Sequence, residues 1–128
     1  LCDMVQSYRL GNALCKHACR HPNTGWGELP QMLFQNNREI AERAFPIKLG
    51  VLKTGFAADV IVMDYAAPTK LDNTTINSHL LFGSSGRNVV TTIANGKILM
   101  KDRQLTGLDR DEIFAKAREC AAEMWKRL

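Results

Sequence analysis

The pair Asn95-Gly96 stands between two runs of strand-forming residues, Val89-Val90-Thr91-Thr92-Ile93-Ala94 before it and Lys97-Ile98-Leu99-Met100 after it. Both residues of the pair tolerate positive φ, so they close a two-residue type I′ hairpin whose twist matches that of its strands. The second half of the chain is therefore expected to build an antiparallel sheet. Ala58-Asp59-Val60-Ile61-Val62-Met63-Asp64 adds a buried strand. Leu49-Gly50-Val51-Leu52, followed by Lys53-Thr54-Gly55, reads as a shorter strand and a turn.

Helices flank this strand-rich stretch. Met4, Val5, Tyr8, Cys15 and Cys19 recur at helical steps across residues 3–20, and His21-Pro22 closes that segment. Residues 22–27, PNTGWG, form a loop, and helix resumes near Pro30, a residue suited to a first turn. Asn36 or Asn37 is expected to cap a further short helix through Ile40, Ala41 and Ala44, ended by Phe45-Pro46. At the other end Asp109 caps a last helix, with Glu112 completing a capping box. Ile113, Ala117, Cys120, Ala121, Met124 and Leu128 make its apolar stripe. Burying Ile113, Met124 and Leu128 contributes roughly 1.5–3 kcal/mol each before entropy costs, so this helix has to dock on something.

A chain of 128 residues is the size of one domain, and 45% hydrophobic with 23% charged residues argues against disorder. No stretch approaches the ~20 apolar residues of a membrane span. Leu1-Cys2-Asp3-Met4-Val5 has neither the basic start nor the apolar core of a signal peptide, lacks an initiator Met and opens partway into a helix. It reads as a domain cut from a longer protein. The net charge of +4 is modest and dispersed: Lys116, Arg118, Lys126 and Arg127 share their segment with Asp111, Glu112, Glu119 and Glu123. That pattern is a solvated helix face rather than a nucleic-acid footprint, and no aromatic residue sits in an RNA-reading motif. Cys2, Cys15, Cys19 and Cys120 are expected as reduced thiols of a cytoplasmic protein.

Two stretches carry a resemblance. They are Gly50-x-Leu52-x-x-Gly55-x-x-Ala58-Asp59-Val60-Ile61-Val62-x-Asp64 and Val89-x-x-x-Ile93-x-Asn95-Gly96-Lys97. In this order they resemble the C-terminal end of the metal-dependent amidohydrolase superfamily. Asp64-Tyr65-x-x-Pro68-Thr69-x-Leu71, His79-Leu80-x-Phe82-Gly83 and Lys101-Asp102-Arg103 are similar to SsnA-type, chlorohydrolase-like aminohydrolases. The resemblance implies an α+β piece of a larger enzyme. Residues 1–46 would be helices from the end of a (β/α)8 barrel, 47–108 the strand-rich part of a small composite β-sandwich, and 109–128 a C-terminal helix. It implies a parent that hydrolyses or deaminates a carbon–nitrogen bond with a divalent metal, zinc or iron.

The family's metal ligands are a His-x-His pair, further histidines and an aspartate after the last barrel strand. This chain has no His-x-His; its histidines are His17, His21 and His79, and Asp3 falls beyond the position of the ligand aspartate. No catalytic, cofactor-binding or metal residue is therefore assigned, and the chain alone is expected to be inactive. Its expected partners are the missing barrel and sandwich strands of the parent, with room for a homo-oligomer interface, and neither nucleic acid nor membrane.

Two other classes remain open: a self-standing binding or scaffold module, and a small zinc-binding domain using Cys15, Cys19 and His21. Cysteines four apart share a helix face, but His21 lies two residues past Cys19 and a closed site needs a fourth ligand. His79 reads first as a loop anchor bonding nearby backbone, and second as a contact near the barrel mouth. Trp26 reads first as a core plug, and second as a lid. Ser84-Ser85-Gly86-Arg87 reads as an ordinary loop rather than an anion cradle. Asp59 is expected to tie down backbone donors at a strand entry.

Overall fold

The structure, a computed structural model, describes residues 3–127. Cys2, and Leu128 of the expected terminal stripe, lie outside the described residues. Helix α1 spans Met4–Cys19. The Asp3 carboxylate starts it by accepting the backbone N–H groups of Val5 and Gln6 at 2.9 and 3.2 Å. Arg20 ends it in the left-handed region at φ 51°, its N–H returning to His17 and that of His21 to Lys16.

After the loop, the chain is helical without interruption from Glu28 to Ala44. It runs as α2 (Glu28–Pro30), a π-helical stretch (Gln31–Asn36) and α3 (Asn37–Ala44). This corrects the expected fresh start at Asn36 or Asn37. Asn36 has helical φ and ψ of −64° and −42°, makes no side-chain cap, and the N–H of Asn37 reaches back to Met32. One inserted residue widens the helix here instead of breaking it.

The sheet is a four-stranded antiparallel meander, β1 (Val60–Met63), β2 (Val89–Ala94), β3 (Lys97–Lys101) and β4 (Gln104–Leu105), in that spatial order. Asn95 and Gly96, at φ 47° and 76°, turn β2 into β3 with Ala94 opposite Lys97, as the sequence predicts. Asp102 and Arg103 repeat the device at φ 50° and 63°, joining β3 to β4. Asp59 accepts the N–H of Asn95 at 2.7 Å, which clamps the β1 entry to the hairpin and is the structural role expected of it.

The expected strand at residues 49–52 does not form. Gly50 and Gly55 take φ 71° and 86°, and the backbone bonds run locally, from Lys53 N–H to Val51 and from Ala57 N–H to Lys48. Two left-handed glycines five residues apart leave no extended run long enough to pair.

Helix α5 spans Arg110–Trp125, capped by Asp109, which accepts the N–H groups of Asp111 and Glu112. The Glu112 carboxylate does not return to the cap but pairs with Lys116 at 3.0 Å. No described residue of α5 is buried. The core is small: Tyr8, Leu29 and Leu81, with Cys15, Leu33 and Leu80 against them. Leu52, Ile61, Phe82, Ile113 and Trp125 all face solvent. The chain exposes 10186 Å². A compact 14.3 kDa protein exposes about 6,800 Å², so about 3,400 Å² more than that is uncovered. No helix among the described residues is long and apolar enough to cross a membrane.

Candidate functional site

The buried histidine of the chain is His79, 8% exposed. A helical segment carries it: α4 (Ile76–Ser78), continued as a π-helical turn (His79–Gly83). Asp72 nucleates that segment. Its carboxylate accepts the N–H and hydroxyl of Thr74 at 2.8 and 2.6 Å, and its carbonyl accepts the N–H of Ile76 at 2.9 Å. The Thr74 hydroxyl and then the Lys70 ammonium hold the Asp72 carboxyl well below the usual carboxylate range. The signal was present in the sequence, since Asp72-x-Thr74-Thr75 before Ile76 is an Asx turn leading into a helix.

His79 is reached from both sides. Its Nε2 lies 3.1 Å from the Lys70 carbonyl and 3.3 Å from Thr69 Oγ1, and its Nδ1 lies 2.8 Å from the Tyr65 hydroxyl. A carbonyl only accepts, so Nε2 carries the proton, and in the neutral ring Nδ1 accepts from Tyr65; the network assigns this tautomer. The two rings meet edge to face, centroids 5.7 Å apart. An open hollow of about 340 Å³ adjoins them, lined in part by Pro68, Ser78 and Phe82. Both ring nitrogens are taken, which leaves no lone pair for a metal and no proton poised toward a substrate. The ring is a loop anchor, the first of the two readings made from sequence.

Gly83 belongs to the same assembly. A Cβ there would lie 2.0 Å from the Tyr65 hydroxyl oxygen, so only glycine lets Tyr65 reach the histidine. Arg9 closes the end of the segment: its Nε and a terminal nitrogen donate to the carbonyls of Leu81 and Ser84 at 2.8 and 2.9 Å. These bonds seat the segment on α1, beside Tyr8. Burial pushes the Tyr8 phenol up, and its hydroxyl has no partner in the described structure.

The stretch weighed as an anion cradle does hold an anion, the chain's own. Gly86 N–H donates to Asp3 Oδ2 at 3.0 Å while Asp3 caps α1, so one carboxylate ties the helix start to the turn before β2. The Gly86 amide first, then those of Gln6 and Val5, lower the Asp3 carboxyl from its ordinary value against the opposing cost of desolvation.

Trp26 is not the core plug expected. It is 39% exposed, its indole N–H donates to the Pro22 carbonyl at 3.3 Å, and Lys16 Nζ lies 4.4 Å from its ring centre. Gly25 and Leu29 take the buried places beside it, because Gly25 at φ 89° turns the tryptophan outward.

The structure also does not gather Cys15, Cys19 and His21. Among the described residues, no group of three or more His, Cys, Asp or Glu is placed to hold a metal ion. Arg20 in the left-handed region swings His21 off the helix face shared by the two cysteines, and His21 Nδ1 accepts the Asn23 N–H instead. Cys15, Cys19 and Cys120 are free thiols.

No family model matches the chain. It is 36% identical over 86 residues to a 5′-deoxyadenosine deaminase of Methanosarcina mazei, covering 67% of this chain and 20% of that protein. It is 37% identical over 103 residues to a 5-methylthioadenosine/S-adenosylhomocysteine deaminase of Thermococcus onnurineus, covering 80% and 24%. The fold matches a solved adenosine deaminase of Xanthomonas campestris with bound zinc at a TM-score of 0.77 and 19% identity, over 96% of this chain and 28% of that one. The chain thus spans between a fifth and a quarter of the length of these curated relatives. It is homologous to a portion of deaminases of the amidohydrolase superfamily.

Proposed function

We propose that the chain is the C-terminal structural portion of a metal-dependent amidohydrolase, cytoplasmic, whose complete form removes the amino group of an adenine nucleoside. The observation that carries this reading is the match to curated deaminases at 36–37% identity over only a fifth to a quarter of their length. The uncovered surface supports it. About 3,400 Å² beyond a compact fold is the scale of an obligate interface. It includes both faces of the edge strand β1, where Ile61 and Val62 are 54% and 48% exposed. Strands and barrel elements of the parent are the partners that would cover it.

In such an enzyme a bound divalent metal, zinc or iron, supplies Lewis acidity and lowers the pKa of water. The residues of this chain do not fit that metal. Both nitrogens of His79 are bonded, His17 and His21 lie at the end of α1 and beyond it, and Asp3 is spent on capping α1 and bonding Gly86. No catalytic step is derived through them. What the chain contributes is scaffold: Asp3 and Arg9 lock α1 to the segment between β1 and β2, and Asp59 locks β1 to the hairpin.

The test is turnover of 5′-deoxyadenosine, followed as loss of the adenine chromophore, with the chain alone and with the longest protein its gene encodes. The expected result is no turnover by the chain and metal-dependent turnover by the longer protein. A longer protein that holds metal yet spares adenine nucleosides would remove the substrate class, and one without a His-x-His pair would remove the family reading.

A further inference from the structure

The hairpin turn that organises the sheet is also a point of chemical reactivity. Of the asparagines in the chain, Asn95 alone is followed by glycine. A glycine nitrogen has no adjacent side chain to shield it, so it can attack the side-chain amide of the residue before it. Both residues of the pair are exposed, and nothing lies within 4 Å of where a Cβ on Gly96 would sit. Asn12 and Asn88, by contrast, spend their side-chain amides on bonds to Gly25, Ser85 and Asp64. We propose that Asn95 is a site of spontaneous deamidation, and that Ala58 and Asp59 at the entry to β1 hold the reaction back.

The step is a ring closure. The backbone nitrogen of Gly96 bonds to Cγ of Asn95, the Cγ–Nδ2 bond breaks, and the proton lost from the Gly96 amide leaves with Nδ2 as ammonia. Water then opens the five-membered imide. Attack at the side-chain carbonyl gives aspartate, and attack at the main-chain carbonyl gives isoaspartate. Water is the only co-reactant.

Closure requires the Gly96 nitrogen to swing toward the Asn95 side chain, and the fold resists at two points. The Gly96 N–H donates to the Ala58 carbonyl at 3.0 Å, and the Asn95 N–H donates to Asp59 Oδ1 at 2.7 Å. Both anchors belong to a segment some 36 residues earlier in the chain, so the turn is guarded only while β1 stays docked. The product undoes the guard. Aspartate sets a second carboxylate beside that of Asp59, and like charges at this distance repel. Isoaspartate lengthens the backbone of a two-residue turn by one carbon and takes Ala94 out of its place opposite Lys97. Deamidation therefore loosens both β1 and the hairpin. It needs neither metal nor substrate and stands apart from the proposed function.

The test is incubation of the purified chain in mildly alkaline buffer, with and without guanidinium chloride. Digestion and mass spectrometry then resolve aspartate and isoaspartate at position 95. The folded chain should convert slowly, at Asn95 before any other asparagine, and at least about tenfold faster in denaturant, where both anchors are gone. Asp59→Ala removes a bond to a charged acceptor and should speed conversion in native buffer about tenfold. A cooperative urea transition checks that this variant is folded. Asp59→Asn keeps an uncharged acceptor and should fall between the two; it decides the question if the alanine variant does not fold.

Equal rates with and without denaturant overturn the proposal, because the fold then gives the turn no protection. So does a folded Asp59 variant that converts no faster than the unaltered chain, or another asparagine that converts first.

Discussion

Gly83→Ala is the sharpest single perturbation of the histidine anchor. Gly83 does not have positive φ, so alanine meets no backbone strain there; the obstacle is the space Tyr65 fills. The new Cβ would lie 2.0 Å from the Tyr65 hydroxyl oxygen and 2.9 Å from the ring carbon that bears it. Tyr65, half-buried, has to swing away, which breaks its 2.8 Å bond to His79 Nδ1 and strands that nitrogen in a site only 8% exposed. An unpartnered buried polar group costs about 1–3 kcal/mol. Replacing glycine by alanine in a helical segment returns about 0.5–1 kcal/mol. The net expectation is a loss of about 0–2.5 kcal/mol, read as a lower urea midpoint by circular dichroism at unchanged slope. Tyr65→Phe should cost a similar amount by removing the same bond, and the double variant should cost less than the sum. A stabilising Gly83→Ala, or strict additivity with Tyr65→Phe, would show that Tyr65 keeps its bond to His79 in the variant.

Other consequences follow from the same geometry. Leu81→Ala, at a position 1% exposed in a three-residue core, should cost about 2–5 kcal/mol by urea denaturation. Gly96→Ala should cost about 1–2 kcal/mol although its Cβ would meet nothing within 4 Å, because φ 76° is the penalty; an equal stability would show that the hairpin relaxes. Asp3 and Asp72 both have carboxyls held below their ordinary value of 3.8. Their contribution is therefore complete above about pH 4 and is lost as pH falls through the lowered values, and Asp3→Asn with Asp72→Asn should flatten that acid limb of the stability curve.

The legible parts of the fold are those decided within a few residues. Asn95-Gly96 with its flanking strands, the Asp109 cap and the period of α1 are local facts, and the structure keeps all of them. What escaped rests on competition between local signals. Gly50 and Gly55 outweigh Val51 and Leu52, and Asn36 sits inside a helix that widens rather than ends. The helix at residues 76–83 was announced by Asp72 and Thr75, but its apolar run, Leu80-Leu81-Phe82, is too short to show a period. Tyr65 and His79 lie 14 residues apart, and Asp3 and Gly86 lie 83 apart, so no spacing rule pairs them. The apolar stripe expected on α5 finds no surface to dock on among the described residues, none of α5 being buried.

The central claim is that this chain carries no complete catalytic centre. Elemental analysis of the purified chain for zinc, iron and manganese, without added chelator, tests it most directly. No stoichiometric metal is expected, since among the described residues Cys15, Cys19 and His21 are not gathered. One equivalent of metal per chain, lost in Cys15→Ser or His21→Ala, would instead give this piece chemistry of its own.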